Sequence, residues 1–235
     1  MKIKKNTFWA LIPARGNSKS IKKKNLFKIN NKPLLGYAID AITNAKIIEK
    51  SFCSSEDREI IQYCKKHKFR TIERPNILSS DNTKTIEVLK HFIGYIEEKY
   101  NYLPEYIFLF EPTSPFVQKK HIYALKKIIQ QNLNVDFVQT ITKVPHNLHA
   151  FNQRILNGRY INFYFLNERN KFFNKQSKPI FYSHGNLRLF RTKFLKSCND
   201  ITEGIVIGSE IENIYAFDFD TIEDLRLANI IAKSL

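Results

Sequence analysis

The sequence has no apolar run long enough to cross a membrane, and it has few cysteines. No hydrophobic stretch approaches the roughly 20 residues that span a bilayer, and residues 1–6 lead into an apolar strand rather than into a signal-peptide core. The three cysteines, Cys53, Cys64 and Cys198, are far apart and form no Cys-x-x-Cys pair. We therefore expect a cytoplasmic protein with no membrane association, no disulfide framework and no zinc site.

Several common nucleotide-binding and catalytic motifs are missing too. The chain has no Gly-Lys-Ser/Thr of a Walker loop and no Gly-x-Gly-x-x-Gly. Its six histidines show no metal-ligand spacing, since His146 and His149 lie beside a proline in a predicted loop. No Ser-His-Asp setting can be established around Ser18 or Ser114. These absences argue against a P-loop enzyme, a dinucleotide-binding domain, a zinc enzyme and a serine hydrolase.

Positive charge is abundant but unevenly distributed. The 38 Lys and Arg residues outnumber the 22 Asp and Glu residues, which gives a net charge of +16. Residues 1–39 hold ten cations and no acid, residues 142–199 hold eleven cations and one acid, and residues 200–235 hold two cations and eight acids. Such segregation fits a site where phosphates meet both cations and a metal held by carboxylates. A nucleic-acid-binding protein has no use for the acidic tail, so we expect no nucleic-acid partner.

Hydrophobic patterning predicts a single α/β domain over residues 1–235. Strand-like apolar runs alternate with segments of helical spacing, which indicates a mostly parallel sheet between two helical layers. The predicted strands are residues 8–12, 50–54, 69–73, 106–110, 137–141 and 186–190, with an edge strand within 204–215. Residues 216–221 are predicted as a strand end that leads into a terminal helix. We therefore expect a three-layer α/β/α fold.

The alternation breaks over residues 145–182. Short aromatic pieces are separated there by polar and basic turns. Such an insertion either packs on its own sheet or forms an arm that a second subunit buries. We favour the dimerisation arm, and with it a homodimer.

A basic loop follows the first strand. Residues 11–26 begin as an apolar run and then carry one glycine, small polar residues and five cations before Leu26. Backbone N–H groups near Gly16 and Ser18 can turn toward phosphate oxygens, while the cations neutralise charge. Because ligands bind at the carboxyl ends of strands in α/β sheets, this position favours a phosphate site over a merely solvated loop.

Two aspartates near the carboxyl end form a candidate metal site. Asp218 and Asp220 alternate with Phe219 at the end of the predicted strand, so their carboxylates point the same way. Two such carboxylates can hold hydrated Mg²⁺. The structural alternative is that Asp220 caps the terminal helix, which would leave Asp218 unexplained.

The order of motifs along the chain resembles the acylneuraminate cytidylyltransferases, the CMP-sialic acid synthetase family. The matching stretches are residues 12–26, Lys32–Leu35, Arg74-Pro75, Ser80-Asp81, Pro112–Pro115, Gly185 and Asp218–Leu225. The resemblance implies a nucleotidyltransferase-type fold that joins CTP to a nine-carbon 2-keto sugar acid, with Mg²⁺, for surface glycan assembly. Cations and Mg²⁺ would stabilise the attack of a sugar hydroxyl on a polyanion and the departure of pyrophosphate.

Roles for individual residues follow from the matched motifs. The implied nucleotide-binding residues are Ala14, Arg15, Lys19, Lys24, Asn25, Arg74 and Thr85. The implied catalytic residues are Arg15, Lys24, Asp218 and Asp220, and the two aspartates are also the implied metal ligands. The implied sugar-binding residues are Glu111, Lys175, Gln176, His184 and Gly185.

The chain departs from the family pattern chiefly on the sugar side. Glu111 stands where the family usually has Gln, His184 stands where it often has Asn, and Lys175 stands where it often has Arg. In the basic loop, Asn17 and Ser20 replace two usual glycines. A carboxylate at 111 would repel an acidic sugar unless it accepts hydrogen bonds from sugar hydroxyl or amide groups.

Three other functions stay open on the sequence. The chain could act on a related 2-keto sugar acid such as 3-deoxy-manno-octulosonate, although residues 22–25 match the acylneuraminate branch better. It could instead be a catalytically silent nucleotide-binding relative or a basic nucleic-acid-binding module. The aspartate pair opposite a phosphate loop argues against these last two.

Overall fold

The computed structural model describes residues 1–18 and 20–235. Lys19, one of the predicted nucleotide-binding residues, lies outside the described residues.

A seven-stranded sheet forms the centre of the molecule. Its strands are β1 (Lys2–Pro13), β4 (Lys50–Ser55), β5 (Arg70–Glu73), β6 (Tyr102–Leu109), β7 (Phe137–Lys143), β10 (Tyr182–Arg191) and β11 (Val206–Glu210). They lie in the order β11-β7-β10-β6-β1-β4-β5. Strand β10 runs antiparallel to both of its neighbours, and the other pairings are parallel. The predicted mostly parallel sheet is therefore confirmed.

Helices cover both faces of this sheet. They are α1 (Leu34–Ala45), α2 (Arg58–Lys66), α3 (Thr85–Lys99), α4 (Lys119–Gln131), α5 (Leu166–Lys171), α6 (Thr192–Ser197) and α7 (Asp224–Ser234). Apolar residues of α1, α2 and α4 pack in one buried cluster with one face of the sheet, and those of α3 and α6 pack in a second cluster with the other face. This arrangement is the predicted three-layer fold.

A third cluster ties the terminal helix to the region after the basic loop. Phe219 and Ala228 are fully buried against Ile29 and Leu34. Ile29 belongs to β2 (Lys28–Ile29), which pairs with β3 (Lys32–Pro33) in a small separate hairpin. Burial of these side chains brings the acidic carboxyl-terminal segment beside the basic amino-terminal loop.

One predicted strand is absent, and β1, β6 and β10 begin earlier than predicted. Residues 216–221 form no strand, because the Phe219 N–H donates to the carbonyl of Thr113 in a loop instead of joining a ladder. Strand β10 begins at Tyr182, four residues earlier than predicted, so His184 and Gly185 lie inside it. The ladder between β10 and β7 is irregular after His184.

The insertion between β7 and β10 is built from small local elements. A hairpin of β8 (Arg154–Asn157) and β9 (Tyr160–Phe163) precedes α5. A ring cluster of His149, Phe151 and Phe181 packs within the insertion. Among the described residues, no helix is both long enough and apolar enough to cross a bilayer.

Gly185 and Gly94 make a contrasting pair for a stability test. A Cβ on Gly185 would lie 2.6 Å from Oγ1 of buried Thr140 and 2.9 Å from its backbone carbon, whereas a Cβ on Gly94 in α3 meets nothing within 4 Å. We expect Gly185→Ala to lower the free energy of unfolding by about 1–3 kcal/mol through overpacking. Gly94→Ala should raise it by about 0.5–1 kcal/mol, because alanine restricts the unfolded chain.

Urea-denaturation midpoints of the two variants and the wild type measure both shifts. A Gly185→Ala protein as stable as the wild type would show that β7 and β10 are not packed as closely as described.

Candidate active site at the carboxyl edge of the sheet

A cavity of about 600 Å³ opens where β1 and β6 end. It is lined by Pro13, Arg15, Ser18, Ser20, Lys24, Asn25, Asp81, Thr85, Glu111, Pro112, Thr113 and Asp220. The basic loop and the acidic carboxyl-terminal segment therefore face one space, as the predicted site requires. Its position agrees with the rule that ligands bind at the carboxyl ends of strands.

A smaller cavity of about 200 Å³ continues the first one toward α3. The two cavities share Pro13, Arg15, Asp81 and Thr85. The smaller cavity is also lined by Arg74, which is only 5% exposed. Burial lowers the pKa of Arg74, while the neighbouring Glu56 carboxylate opposes that shift. Together the cavities form an elongated cleft with Arg15 at the middle.

The basic loop is fixed by its own polar contacts. The Ala14 N–H donates to the Ser54 carbonyl at 3.0 Å, and Asn25 Nδ2 donates to the Arg15 carbonyl at 2.7 Å. The Arg15 guanidinium lies 2.6 Å from an Asp81 carboxylate oxygen. Ala14 and Asn25 are therefore buried supports of the loop, and Arg15 is one of the cations that face the cleft.

The Gly16 N–H does not face the cleft as a free phosphate donor. It donates to Glu56 Oε1 at 2.7 Å, and the same carboxylate accepts a hydrogen bond from Ser79. A Cβ at position 16 would lie 2.4 Å from an Asp57 carboxylate oxygen, so only glycine allows this approach. The expectation for Gly16 is therefore corrected, because Glu56 takes up its N–H to anchor the loop.

Lys24 and Asp220 join the two ends of the chain. The Lys24 Nζ lies 2.7 Å from Asp220 Oδ1. The Lys24 side chain is 11% exposed and that of Asp220 is 67% exposed. A residue with positive φ, Lys23 at 54°, turns the chain into the short helical turn that carries Lys24. The pair spans 196 positions in sequence and lies in the wall of the larger cavity.

Asp218 lies beside this pair in a crowded carboxylate environment. Desolvation by surrounding protein atoms raises the pKa of Asp218 although the residue still reaches solvent, and the Asp220 charge raises it further. A hydrogen bond with Thr113 and the Lys24 charge oppose this rise. The two carboxylates are thus close enough to repel each other without a cation between them.

The carboxylate pair fits a magnesium ion that uses substrate oxygens for the rest of its shell. Among the described residues, no group of three or more His, Cys, Asp and Glu side chains is placed to hold a metal alone. Mg²⁺ commonly binds one or two carboxylates together with substrate phosphates and water. A cation would also relieve the repulsion between Asp218 and Asp220.

At the other side of the larger cavity, Glu111 is contacted by an arginine and a histidine. Arg188 donates to Glu111 Oε2 at 2.7 Å, and His184 Nε2 lies 3.5 Å from the same oxygen. Burial opposes ionisation of Glu111, but the contacts with His184 and Arg188 outweigh it and lower its pKa. The predicted sugar-side residues Glu111 and His184 are therefore in contact, and the charge at 111 is compensated.

Sequence reasoning did not assign a role to Arg188. The available signal was its place as a lone cation in the apolar run of residues 187–190. Charged side chains are rarely buried unless they are paired. A partner could therefore have been sought at the end of the neighbouring strand.

A buried amide of β10 links β7, α4 and the turn that precedes Asp218. Asn186 is fully buried, donates to the Tyr215 carbonyl at 2.9 Å and accepts from Thr140 Oγ1 at 3.1 Å. Its Nδ2 also lies 3.1 Å from a ring nitrogen of buried His121. This network connects the irregular part of β10 with the turn that precedes Asp218.

Lys175 and Gln176 lie apart from this cleft. Both are exposed in a short helical turn of the insertion, and neither lines the two cavities. Their assignment to the sugar site stays a prediction.

A family model described as cytidylyltransferase matches residues 9–234. This chain belongs to the cytidylyltransferase family. The predicted resemblance to acylneuraminate cytidylyltransferases is thereby confirmed.

Curated relatives of this cytidylyltransferase are about a quarter identical. A bifunctional pseudaminic acid cytidylyltransferase and UDP-sugar hydrolase of Helicobacter pylori is 26% identical over 93% of this chain and 41% of its own length. An N-acylneuraminate cytidylyltransferase of Escherichia coli is 28% identical over 57% of this chain and 31% of its own length. A pseudaminic acid cytidylyltransferase of Campylobacter jejuni is 26% identical over 95% of both chains. The chain thus spans less than half of the first two relatives.

The fold is shared with a solved structure of CMP:2-keto-3-deoxy-manno-octonic acid synthetase complexed with CTP. The TM-score is 0.72 at 13% identity, over 97% of this chain and 100% of that one. This likeness confirms the nucleotidyltransferase-type fold.

The raised pKa of Asp218 predicts a pH-dependent stability for this cytidylyltransferase. Because the folded-state pKa of Asp218 is raised, its ionised form destabilises the fold at neutral pH. Asp218→Asn should therefore raise the melting temperature at neutral pH without metal or nucleotide. The advantage should shrink as pH falls through the raised folded pKa and vanish below the unfolded value near 3.8.

Thermal melts of wild type and variant across this pH range test the effect. Glu223→Gln, at an exposed neighbouring position, is the control. An Asp218→Asn protein that is less stable than the wild type at neutral pH would contradict the repulsion.

Proposed function

We propose that this cytidylyltransferase transfers CMP from CTP to the anomeric hydroxyl of a sialic-acid-like nonulosonic acid and releases pyrophosphate. The observation that carries the proposal is the shared cavity of the basic loop and Asp220, with Lys24 bonded directly to that aspartate. This chain matches 95% of the length of the pseudaminic acid cytidylyltransferase of Campylobacter jejuni, which supports a sugar acid of this class.

The cleft can divide the two substrates between its ends. Thr85 and Arg74 line the narrow end near Arg15, which suits the nucleotide, while Glu111 lies at the wide end, which suits the sugar. The sugar hydroxyl oxygen attacks the α-phosphorus, the bond to the pyrophosphate oxygen breaks, and the hydroxyl proton passes to a base. Arg15 and Lys24 offset the negative charge that builds up during this exchange. An aspartate or a bound water takes up this proton as the base.

Asp218 and Asp220 would hold Mg²⁺ when the nucleotide binds. The ion would supply Lewis acidity toward the phosphate and acidify the sugar hydroxyl. A reaction that consumes CTP also supports the predicted cytoplasmic location.

Pyrophosphate release with a panel of acceptors tests this function. Purified full chain is given CTP, Mg²⁺ and, in turn, sialic, pseudaminic, legionaminic and 3-deoxy-manno-octulosonic acids. We expect turnover with at least one nine-carbon acid and little with the eight-carbon acid. Asp220→Asn should lower kcat by at least about 10³-fold and keep a cooperative melt, because it removes a metal ligand and the partner of Lys24.

Glu223→Gln is the matched control, since this carboxylate is close in sequence but outside both cavities. Turnover only with the octulosonate would establish the alternative acceptor. No turnover with any acid would leave a silent nucleotide-binding relative. Tight duplex-DNA binding that CTP cannot displace would instead indicate a nucleic-acid-binding module.

We also propose that the insertion mediates a homodimer. Six of its large apolar side chains are each 63–68% exposed: Leu156, Tyr160, Ile161, Tyr164, Phe173 and Ile180. Monomeric proteins rarely expose so much apolar surface in one segment. Burial against a second copy would cover it.

Light scattering after size-exclusion chromatography measures the mass in solution. The wild type should elute as a dimer, and Leu156→Glu combined with Tyr160→Glu should elute as a monomer. Leu133→Glu, at a side chain that is 78% exposed outside the insertion, should leave the dimer intact. A monomeric wild type would refute the dimer.

A further inference from the structure

The wide end of the cleft carries a negative charge that would repel the proposed acceptor. Glu111 lines the larger cavity, and the proposed acceptor is itself an anion. An uncompensated carboxylate there would repel the sugar acid and raise its KM. The environment of Glu111 therefore decides what kind of acceptor can bind.

The register between β10 and β6 places Arg188 next to the Glu111 carboxylate. Strand β10 places Arg188 opposite Leu109, the last residue of β6, and Glu111 follows two residues later. The Arg188 side chain is 17% exposed, and its NH1 lies 2.7 Å from Glu111 Oε2. His184 Nε2 lies near the same oxygen, so Arg188 and His184 both contact Glu111 through Oε2.

A second arginine of β10 shows what a purely structural role looks like. Arg191 donates to the backbone carbonyls of Val135, Ile129 and Asn132. These hydrogen bonds hold the end of α4 and the following turn against β10. Arg188 makes no such bond to a backbone carbonyl of the described residues; its hydrogen bond goes to the carboxylate that lines the cavity. The two arginines therefore differ in what they hold.

We propose that Arg188 is a positioning residue that neutralises Glu111 and thereby adapts the wide end of the cleft to an acidic sugar. With Oε2 engaged, Oε1 has no partner among the described residues and can accept a hydrogen bond from a sugar hydroxyl or an acylamino N–H. The substrate class is thus a sugar acid that turns neutral donors, not its carboxylate, toward Glu111. This inference rests on the proposed cytidylyl transfer.

A double-mutant cycle isolates this role. Arg188→Met, Glu111→Gln and the combined variant are compared by pyrophosphate release with the best acceptor of the wild type. Arg188→Met exposes the bare carboxylate, so we expect the KM for the sugar acid to rise about tenfold or more while the KM for CTP stays within about twofold. The combined variant also lacks the negative charge of Glu111, so it should bind the sugar acid better. Its sugar KM should therefore be well below that of Arg188→Met.

Arg188→Lys and Arg191→Met serve as controls. Arg188→Lys keeps the charge and should retain most of the sugar affinity, which also covers the case that Arg188→Met folds poorly. Arg191→Met should lower the melting temperature without a selective change in the sugar KM, because Arg191 binds the end of α4 and the following turn and lines neither cavity.

The outcomes separate the two proposals. A wild type active on a sugar acid, but with a combined variant no better than Arg188→Met, overturns the role of Arg188 alone. An equal rise of the KM for the sugar acid and the KM for CTP in Arg188→Met would also overturn the role of Arg188. A wild type inactive on every acid overturns the proposed transfer and this inference with it.

Discussion

The ion pair of Lys24 and Asp220 is the contact on which the arrangement of the site depends. It joins a loop that follows the first strand to a segment that precedes the last helix. The apolar cluster around Phe219 holds this segment in place behind the pair. Without that packing, the Asp220 carboxylate would have no fixed position relative to the basic loop, and the cleft would lose one wall.

Ion pairs like that of Lys24 and Asp220 occur at three further places in and beside the cleft, where described cations are paired with carboxylates. The four pairs are Arg15–Asp81, Lys24–Asp220, Arg74–Glu56 and Arg188–Glu111. Pairing holds each long side chain in one orientation before a ligand arrives, and it avoids a cluster of unpaired charges of one sign. A polyanionic nucleotide must therefore compete with acidic partners at some of these positions.

Sequence patterning predicted the sheet well because the central strands are long, apolar and flanked by turn residues. Residues 8–12 and 137–141 fall inside observed strands, and 106–110 overruns the end of β6 by one residue. It failed at 216–221, where alternation of Phe219 with two aspartates looks like a strand but arises from one buried ring between two loop carboxylates. Period-two patterning cannot distinguish these cases, since both place alternate side chains on opposite sides.

Within the site, sequence motifs pointed to several residues that line the cleft and missed those behind it, and the roles of the lining residues stay predictions. Lys24, Asp220 and Glu111 could be assigned from residue type and motif. Glu56 and Arg188 could not, because their roles come from partners that are distant in sequence and meet only in the folded chain. Such supporting contacts follow from strand register and loop packing rather than from local spacing.

The reversed direction of β10 has an evolutionary consequence. Because β10 runs against β7 and β6, the chain enters it at the same edge where the parallel strands end, so the long segment between β7 and β10 leaves and rejoins the sheet beside the cleft. This segment can lengthen, shorten or change sequence without altering the order of the strands. Changes in this segment would therefore leave β1, β4 and β6, and the basic loop that follows β1, in place.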